Sequence, residues 1–213
     1  ALDKKELNLK ELAFNFNNIN FFSEKVDLYL KDNEYLIKGK IQNKILKLSS
    51  KQLIFFEKNY LSNFEINDAY LSSDNIFSLR LSKQFKLDEA KIRSNINLKK
   101  LSLKNNLNIK NFFPNAQDNI ELTNHKITID FDNNNNLFLK GKGDVLIQDK
   151  NDFFSYKIEN QKKSIDFDIT LILKKKQLFL NFINFEKNKY LKTTLKIKRK
   201  KEINKNLFIN NFS

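Results

Sequence analysis

Ile165-Asp166-Phe167-Asp168-Ile169-Thr170-Leu171-Ile172-Leu173 alternates apolar and polar side chains until its last three residues. In a strand, successive side chains point to opposite faces, so this spacing buries one face and wets the other. Val26-Asp27-Leu28-Tyr29-Leu30 and Phe77-Ser78-Leu79-Arg80-Leu81 repeat the pattern, and it restarts about every dozen residues along the chain. A sustained period of 3.6 is missing and Ala is scarce, so helix is expected to be minor. The pattern predicts an all-β protein: a long, curved, mostly antiparallel meander forming a groove or flattened half-barrel.

Working outward, Leu7 to Phe16 alternates with a register shift at Lys10-Glu11, which predicts a bulge. Val26–Leu30 and Tyr35–Ile41 flank Lys31-Asp32-Asn33-Glu34, a hairpin signature. Short runs follow at Ile45–Leu48, Leu53–Phe56, Leu61–Ile66, Ala69–Leu71, Ile76–Leu81 and Phe85–Leu87. Asp88–Leu103 reads as a strand with an offset, a helix being the alternative. Asn111 to Ala116 holds the only Pro, which a central strand cannot accommodate. At most one short helical turn is expected there, near Phe112–Ala116, with Phe112 and Phe113 plugging the end of the core. Strands resume at Ile120–Thr123, Lys126–Phe131, Leu137–Ile147, Phe153–Ile158, Ser164–Leu173, Gln177–Phe182 and Leu191–Ile197. Gly141 and Gly143 share a face with Leu139 and Val145, where they permit a sharp bend or a close approach. Asn133–Asn136 reads as a loop. Some fifteen strands result, and residues 1–213 read as one β-rich segment of a longer protein with a candidate sub-boundary at 111–119.

Phe is abundant, at 21 residues, yet mean hydropathy is −0.56, because Lys, Asn and Asp fill the polar half of the alternation. Abundant Lys, Asn, Ile and Phe are the mark of an AT-rich genome, which weakens a functional reading of the Lys and Asn excess. There is no Cys, so thiol metal sites and disulfides are excluded. No run approaches the ~18 apolar residues of a membrane-spanning helix, and no leader is evident. The net charge of +14 comes from 39 basic and 25 acidic residues. Only Arg80, Arg93 and Arg199 are Arg, whereas nucleic-acid readers lean on Arg for bidentate contacts. The densest basic runs, Lys174–Lys176 and Lys198–Lys201, read as a turn and a solvated face. His125, the only His, reads as a surface or turn residue at a strand start. Asp166 and Asp168 share the solvent side of one strand and read as surface charge. No phosphate-binding loop or zinc spacing is present. No enzyme activity, metal or cofactor is expected.

The stretch Leu107-Asn108-Ile109-Lys110-Asn111-Phe112-Phe113-Pro114, then Ile120 to Ile127, Gly141-Lys142-Gly143-Asp144-Val145-Leu146-Ile147-Gln148-Asp149, Tyr156-Lys157-Ile158 and Ile165 to Leu173 resemble the AsmA-like proteins. The likeness is to the YhdP/TamB-type branch, in the domain of unknown function ahead of the AsmA-like C-terminal region. The composition suggests an AT-rich alphaproteobacterium. The resemblance implies a periplasmic bridge, held in the inner membrane by an N-terminal helix absent from this sequence. Its long curved sheet would form a groove along which phospholipid moves between the membranes. The rest of the same chain would adjoin this segment at both ends. No catalytic residue is carried over.

A sheet with one apolar face must cover it with another layer. Without helices, it closes on itself or accepts something greasy. Burying an acyl chain stabilises by about 0.8 kcal/mol per CH₂, on the order of 12 kcal/mol gross for sixteen carbons. The expected lining residues are Leu28, Leu30, Ile37, Phe55, Ile66 and Leu79 in the first half. In the second they are Ile129, Leu139, Ile147, Ile158, Phe167, Ile169, Leu171, Leu180 and Phe182. Phospholipid is the expected partner and nucleic acid is not. The competing reading takes the same residues as a dry core and the chain as a structural β-module that packs edge to edge with its neighbours.

Overall fold

The computed structural model describes residues 5–16, 18–31, 33–49, 52, 64–105, 109–133, 136–161, 164–174, 176–188, 190–202 and 208–212, with the backbone alone for Lys31, Phe64, Asn105 and Phe182 and from residue 201 onward. Nine strands follow one another, each beside its predecessor: β1 (Lys5–Phe16), β2 (Ile19–Lys31), β3 (Glu34–Lys47), β4 (Phe64–Leu81), β5 (Leu87–Asn105), β6 (Asn119–Asp132), β7 (Leu137–Leu146), β8 (Asn151–Gln161) and β9 (Ser164–Leu173). A two-stranded hairpin, β10 (Leu178–Leu180) with β11 (Phe185–Lys187), then steps out of the sheet. The chain returns as β12 (Thr193–Glu202) beside β9, and β13 (Phe208–Phe212) completes an eleven-stranded sheet. Every neighbouring pair is antiparallel. The sheet is open, and among the described strands β1 and β13 each have a neighbour on one side only. This is the all-β meander that the alternation predicts.

The strands are fewer and longer than the runs of alternation suggest, because polar residues pair regularly through some interruptions, as at Ser72–Asn75, and bulges carry the chain through others. β4 absorbs Ala69–Leu71 and Ile76–Leu81 into one strand of 18 residues, and β5 runs for 19. Glu11 has φ 52° where the alternation in β1 shifts, but the β1–β2 register is unchanged there, Leu9 and Leu12 pairing with Val26 and Ser23, and the bulge lies in β2 against β3, between Phe22 and Val26. In β5 the extra residue is Lys99, which leaves Leu98 opposite Leu71 and Leu101 opposite Ala69. In β6 Asn124 takes φ 56°, and the pairing to β7 shifts between Thr123 and Lys126. A bulge adds one residue and flips parity, so a three-residue apolar step keeps both side chains on the same face and increases local twist. Asn18 and Asn33 stand at φ 60° and 64° in the first two hairpin connections, a backbone region Asn tolerates and hairpin turns require.

The stretch around Pro114 leaves the sheet as a 3-10 turn at Ile109–Asn111 and a loop, while β5 and β6 pair across it from Lys104 to Asn119. The strands on either side of this loop are therefore neighbours in one sheet. A second 3-10 turn, Asn181–Ile183, takes the place of the strand expected to reach Phe182. Phe113 packs as expected, against the buried groups Ala116, Val145 and Ile147 and against Leu173, Leu178 and Leu180. Phe112 does not; it is exposed, and its carbonyl accepts the Phe179 N–H at 2.9 Å. The loop and the β10–β11 hairpin together cap one end of the sheet. A further dry cluster, Leu48, Ile66, Ala69 and Leu103, lies under β3–β5.

Candidate functional site

Cross-strand partners share a face, so the register traces rows of side chains across the sheet. One row reads Leu9, Val26, Gly39, Phe77, Ile92, Phe131, Leu137, Asn160, Ile165 over β1 to β9. The next reads Ile41, Asn75, Ser94, Ile129, Leu139, Ile158, Phe167, Arg199 over β3 to β9 and β12. A third reads Asn43, Ser73, Ile96, Ile127, Gly141, Tyr156, Ile169, Ile197. These rows form an apolar face. Leu28, Leu30, Ile37, Ile66, Leu79, Ile129, Leu139, Ile158, Phe167, Ile169 and Leu171 all belong to it, as the alternation predicts. The first row also adds Phe77, Ile92, Phe131 and Leu137, which parity alone places beside the named residues.

Most of this face is not covered. Outside the capped end most of its side chains are partly or fully exposed, with Leu7, Phe14, Ile92, Phe131 and Ile197 among the exposed large apolar groups, while Val26, Asn43, Leu98 and the cluster around Ile66 are buried. Ile66, Ile147 and Leu180 differ from their expected role and line no open wall: Ile66 is buried in the cluster with Leu48, Ala69 and Leu103, and Ile147 and Leu180 are buried beneath the cap, where residues 109–118 and 176–187 fold over that end. Phe55 lies outside the described residues, as does the side chain of Phe182.

The face is not uniformly apolar. Asn43, Ser73 and Asn75 form a polar island on β3 and β4, with Ser94 beside it on β5. Asn75 Nδ2 donates to Ser73 Oγ at 2.8 Å and to the Ile41 carbonyl at 3.3 Å, and Ser73 Oγ donates to Asn43 Oδ1. The Phe77–Ile92–Phe131–Leu137 row passes beside this island. It joins the apolar field of Leu28, Ile37 and Leu79 to the field of Ile129, Ile158 and Ile169.

His125 is a correction to the sequence reading. Instead of standing at a strand start in solvent, it is 1% exposed in the middle of β6. Its Nε2 donates to the Asp144 carbonyl at 3.0 Å, and its ring stacks on Tyr156 with centroids 5.9 Å apart. Nδ1 is buried without a partner. Burial holds the imidazole below its ordinary pKa and pushes the Tyr156 phenol up to about 12. The close approach anticipated at Gly141 and Gly143 is made by these two rings, since a Cβ on either glycine would overlap Tyr156 or His125.

The opposite face is polar and paired across strands. Arg93 meets Asp130, Arg80 meets Glu89 at 2.9 Å, and Lys198 meets Asp168 at 3.2 Å. A hollow of about 1000 Å³ lies between Lys38, Lys40, Lys91, Arg93, Asp130 and Glu159 of this face, and its lining also takes in Phe77, Ile92, Phe131 and Leu137 of the first apolar row, while the rows through Ile37 and Ile129 take no part in it. Asp166 and Asp168 belong to this face, as expected.

Lys176 is the second correction. The hairpin turn expected between Leu173 and Leu178 is not formed, since β9 and β10 do not pair, and Lys176 in that connection is 2% exposed, with Nζ donating to Asp149 at 2.8 Å and to the Lys150 carbonyl at 2.6 Å. Lys187 is equally buried and donates to the Lys176 and Asn188 carbonyls. Among the described residues no three His, Asp or Glu side chains gather to hold a metal, and no helix is long and apolar enough to cross a membrane. No protein-family model, curated protein or solved structure matches the chain.

Proposed function

We propose that the apolar face carries phospholipid acyl chains and that the chain is a section of a periplasmic bridge between membranes. The observation that carries this reading is a largely exposed face on which Phe77, Ile92, Phe131 and Leu137 carry an apolar row past the polar island, and Ile129, Leu139, Ile158 and Phe167 continue a second across four strands. Strands lie about 4.8 Å apart, so Ile129 to Phe167 spans about 14 Å perpendicular to the strands. A chain lying along these rows gains about 0.8 kcal/mol per buried CH₂ at each position and loses nothing by sliding one strand further. Such a surface binds without fixing its cargo, which suits conduction. The resemblance to AsmA-like proteins supplies the setting: the inner membrane at one end, the outer membrane at the other, and the rest of the same chain continuing the sheet. The protein is proposed as a non-enzymatic carrier with no part in nucleic-acid binding.

A structural module is the second reading, and the unpaired edge of β1 favours it. Every β1 residue but Leu12 is exposed, which leaves a long strand edge free to pair. One experiment separates the two readings. The chain is purified from cells with a full membrane complement, and bound phospholipid is measured by native mass spectrometry. Co-purifying phospholipid that Ile169→Glu removes, and that Thr170→Glu on the opposite face leaves in place, supports the conducting wall. A lipid-free chain that assembles through its edges overturns it in favour of the module.

A further inference from the structure

The chain has three arginines, and they are not equivalent. Arg80 and Arg93 lie on the polar face, each beside a carboxylate. Arg199 is on the apolar face. Its cross-strand partner in β9 is Phe167, and the row continues through Ile158, Leu139 and Ile129. Its neighbours Lys198 and Lys200 point the other way, where Lys198 pairs with Asp168. The basic run that reads as a solvated face therefore places its one guanidinium against the greasy wall. Arg199 is partly buried, and its Nε is shut off from solvent with no hydrogen-bond partner. Among the described residues no carboxylate pairs with it.

A desolvated guanidinium N–H without an acceptor is costly, and the cost is removed when an anion arrives. Phosphate matches the guanidinium fork with two parallel charge-assisted hydrogen bonds. We propose that Arg199 is a headgroup station, taking the phosphate of a phospholipid whose acyl chains lie along Phe167, Ile158 and Leu139. This inference rests on the proposed acyl-chain wall and adds what that wall lacks: discrimination between lipids that share the same chains. The wall alone holds a diacylglycerol as well as a phospholipid, whereas Arg199 favours the one that bears phosphate.

The test compares retention of phosphatidylglycerol, phosphatidic acid and diacylglycerol, all with identical acyl chains, on the purified chain by native mass spectrometry. The unaltered chain is expected to favour the two phosphate-bearing lipids about tenfold, the value of one charge-assisted contact. Arg199→Gln is expected to bring the ratio to roughly one with diacylglycerol retention unchanged, and Arg199→Lys to restore part of the preference. Unchanged diacylglycerol binding also shows that the variant still folds. A preference that survives Arg199→Gln overturns the headgroup station and leaves the wall intact. Failure of all three lipids to bind the unaltered chain overturns the wall itself. Inorganic phosphate is the remaining probe: if it displaces the lipids through Arg199, the site takes the free ion and the headgroup assignment is overturned.

Discussion

The imidazole of His125 lies over Gly143. A Cβ at 143 would stand 2.6 Å from the His125 Cγ and 2.7 Å from its Cα, and the second of these is backbone that cannot swing away. The neighbouring pair follows the same rule with a softer partner: a Cβ at Gly141 would meet only the ring of Tyr156. Both glycines let an aromatic ring lie flat on the sheet. Gly143→Ala and Gly141→Ala are therefore each expected to destabilise by about 1–3 kcal/mol, the usual cost of overpacking. The partners differ in what rescues them. Tyr156→Ser removes the obstructing ring and should recover most of the Gly141→Ala loss in a double-mutant cycle, whereas His125→Ser should recover only part of the loss at Gly143. Additive losses at 141 and 156 in denaturant titration would refute the ring-on-glycine account.

The same histidine gives the fold an acid-sensitive point. Desolvation is the largest influence on His125 and lowers its pKa, and the Asp144 carbonyl opposes this only in part. Protonation would place a second N–H on Nδ1, which has no acceptor. Between the lowered folded value and the unfolded value of about 6.5, the unfolded chain binds more protons. Stability therefore rises with pH through that window, and acidification below about pH 6.5 reduces it. Denaturant midpoints from pH 7.5 to 5 are expected to fall for the natural chain and to flatten in His125→Gln. An equal fall in both chains would place the sensitivity elsewhere.

The apolar face was legible in the sequence where a three-residue apolar step announces a change of parity. Leu9 to Leu12 spans Glu11 and Leu98 to Leu101 spans Lys99, both inside runs that read as strands with an offset, whereas Leu122 to His125 spans Asn124 and escapes the reading, which ends a strand at Thr123 and sets His125 in a turn. What was not legible depends on contacts distant in sequence. Alternation cannot say that residues 109–118 and 176–187 meet over Ile147, nor that Lys176 turns inward to Asp149, 27 residues away. Arg199 was hidden by its neighbours: in a run of four basic residues the charge pattern masks the parity that puts one of them on the greasy side.

The cap depends on its buried charges. Lys176 Nζ binds Asp149 and the Lys150 carbonyl and lies 4.0 Å from Asp152, whose Oδ1 accepts the Lys174 N–H at 2.9 Å and whose Oδ2 has no hydrogen-bond partner. Desolvation raises the Asp152 pKa and lowers that of Lys187. Lys176→Met is expected to leave the Asp152 carboxylate without its near cation and the Lys150 carbonyl without its donor, a loss of about 3–5 kcal/mol for a broken buried pair. The loss should be local. Amide exchange should accelerate in 109–118 and 176–187 while β4 and β5 keep their protection. Uniform acceleration across the sheet would mean that the cap and the sheet unfold as one unit.

An uncovered apolar face has a signature that needs no lipid. A fluorescent hydrophobic probe, which ordinarily reports partly folded states, should bind the native chain, because Phe131 and Ile92 are already in solvent beside the partly exposed Phe77 and Leu137. Binding should be insensitive to salt, since the ion pairs lie on the other face, and it should weaken when Ile92→Glu interrupts the row beside the polar island. Lys91→Glu, one residue away and on the opposite face, is the control. Phospholipid vesicles added first should quench the signal by competing for the same rows. If the probe responds equally to Ile92→Glu and Lys91→Glu, the wall is not where it binds. Probe binding that appears only as the chain unfolds would mean that a second layer covers the face in solution, and the dry-core reading would then account for the same residues.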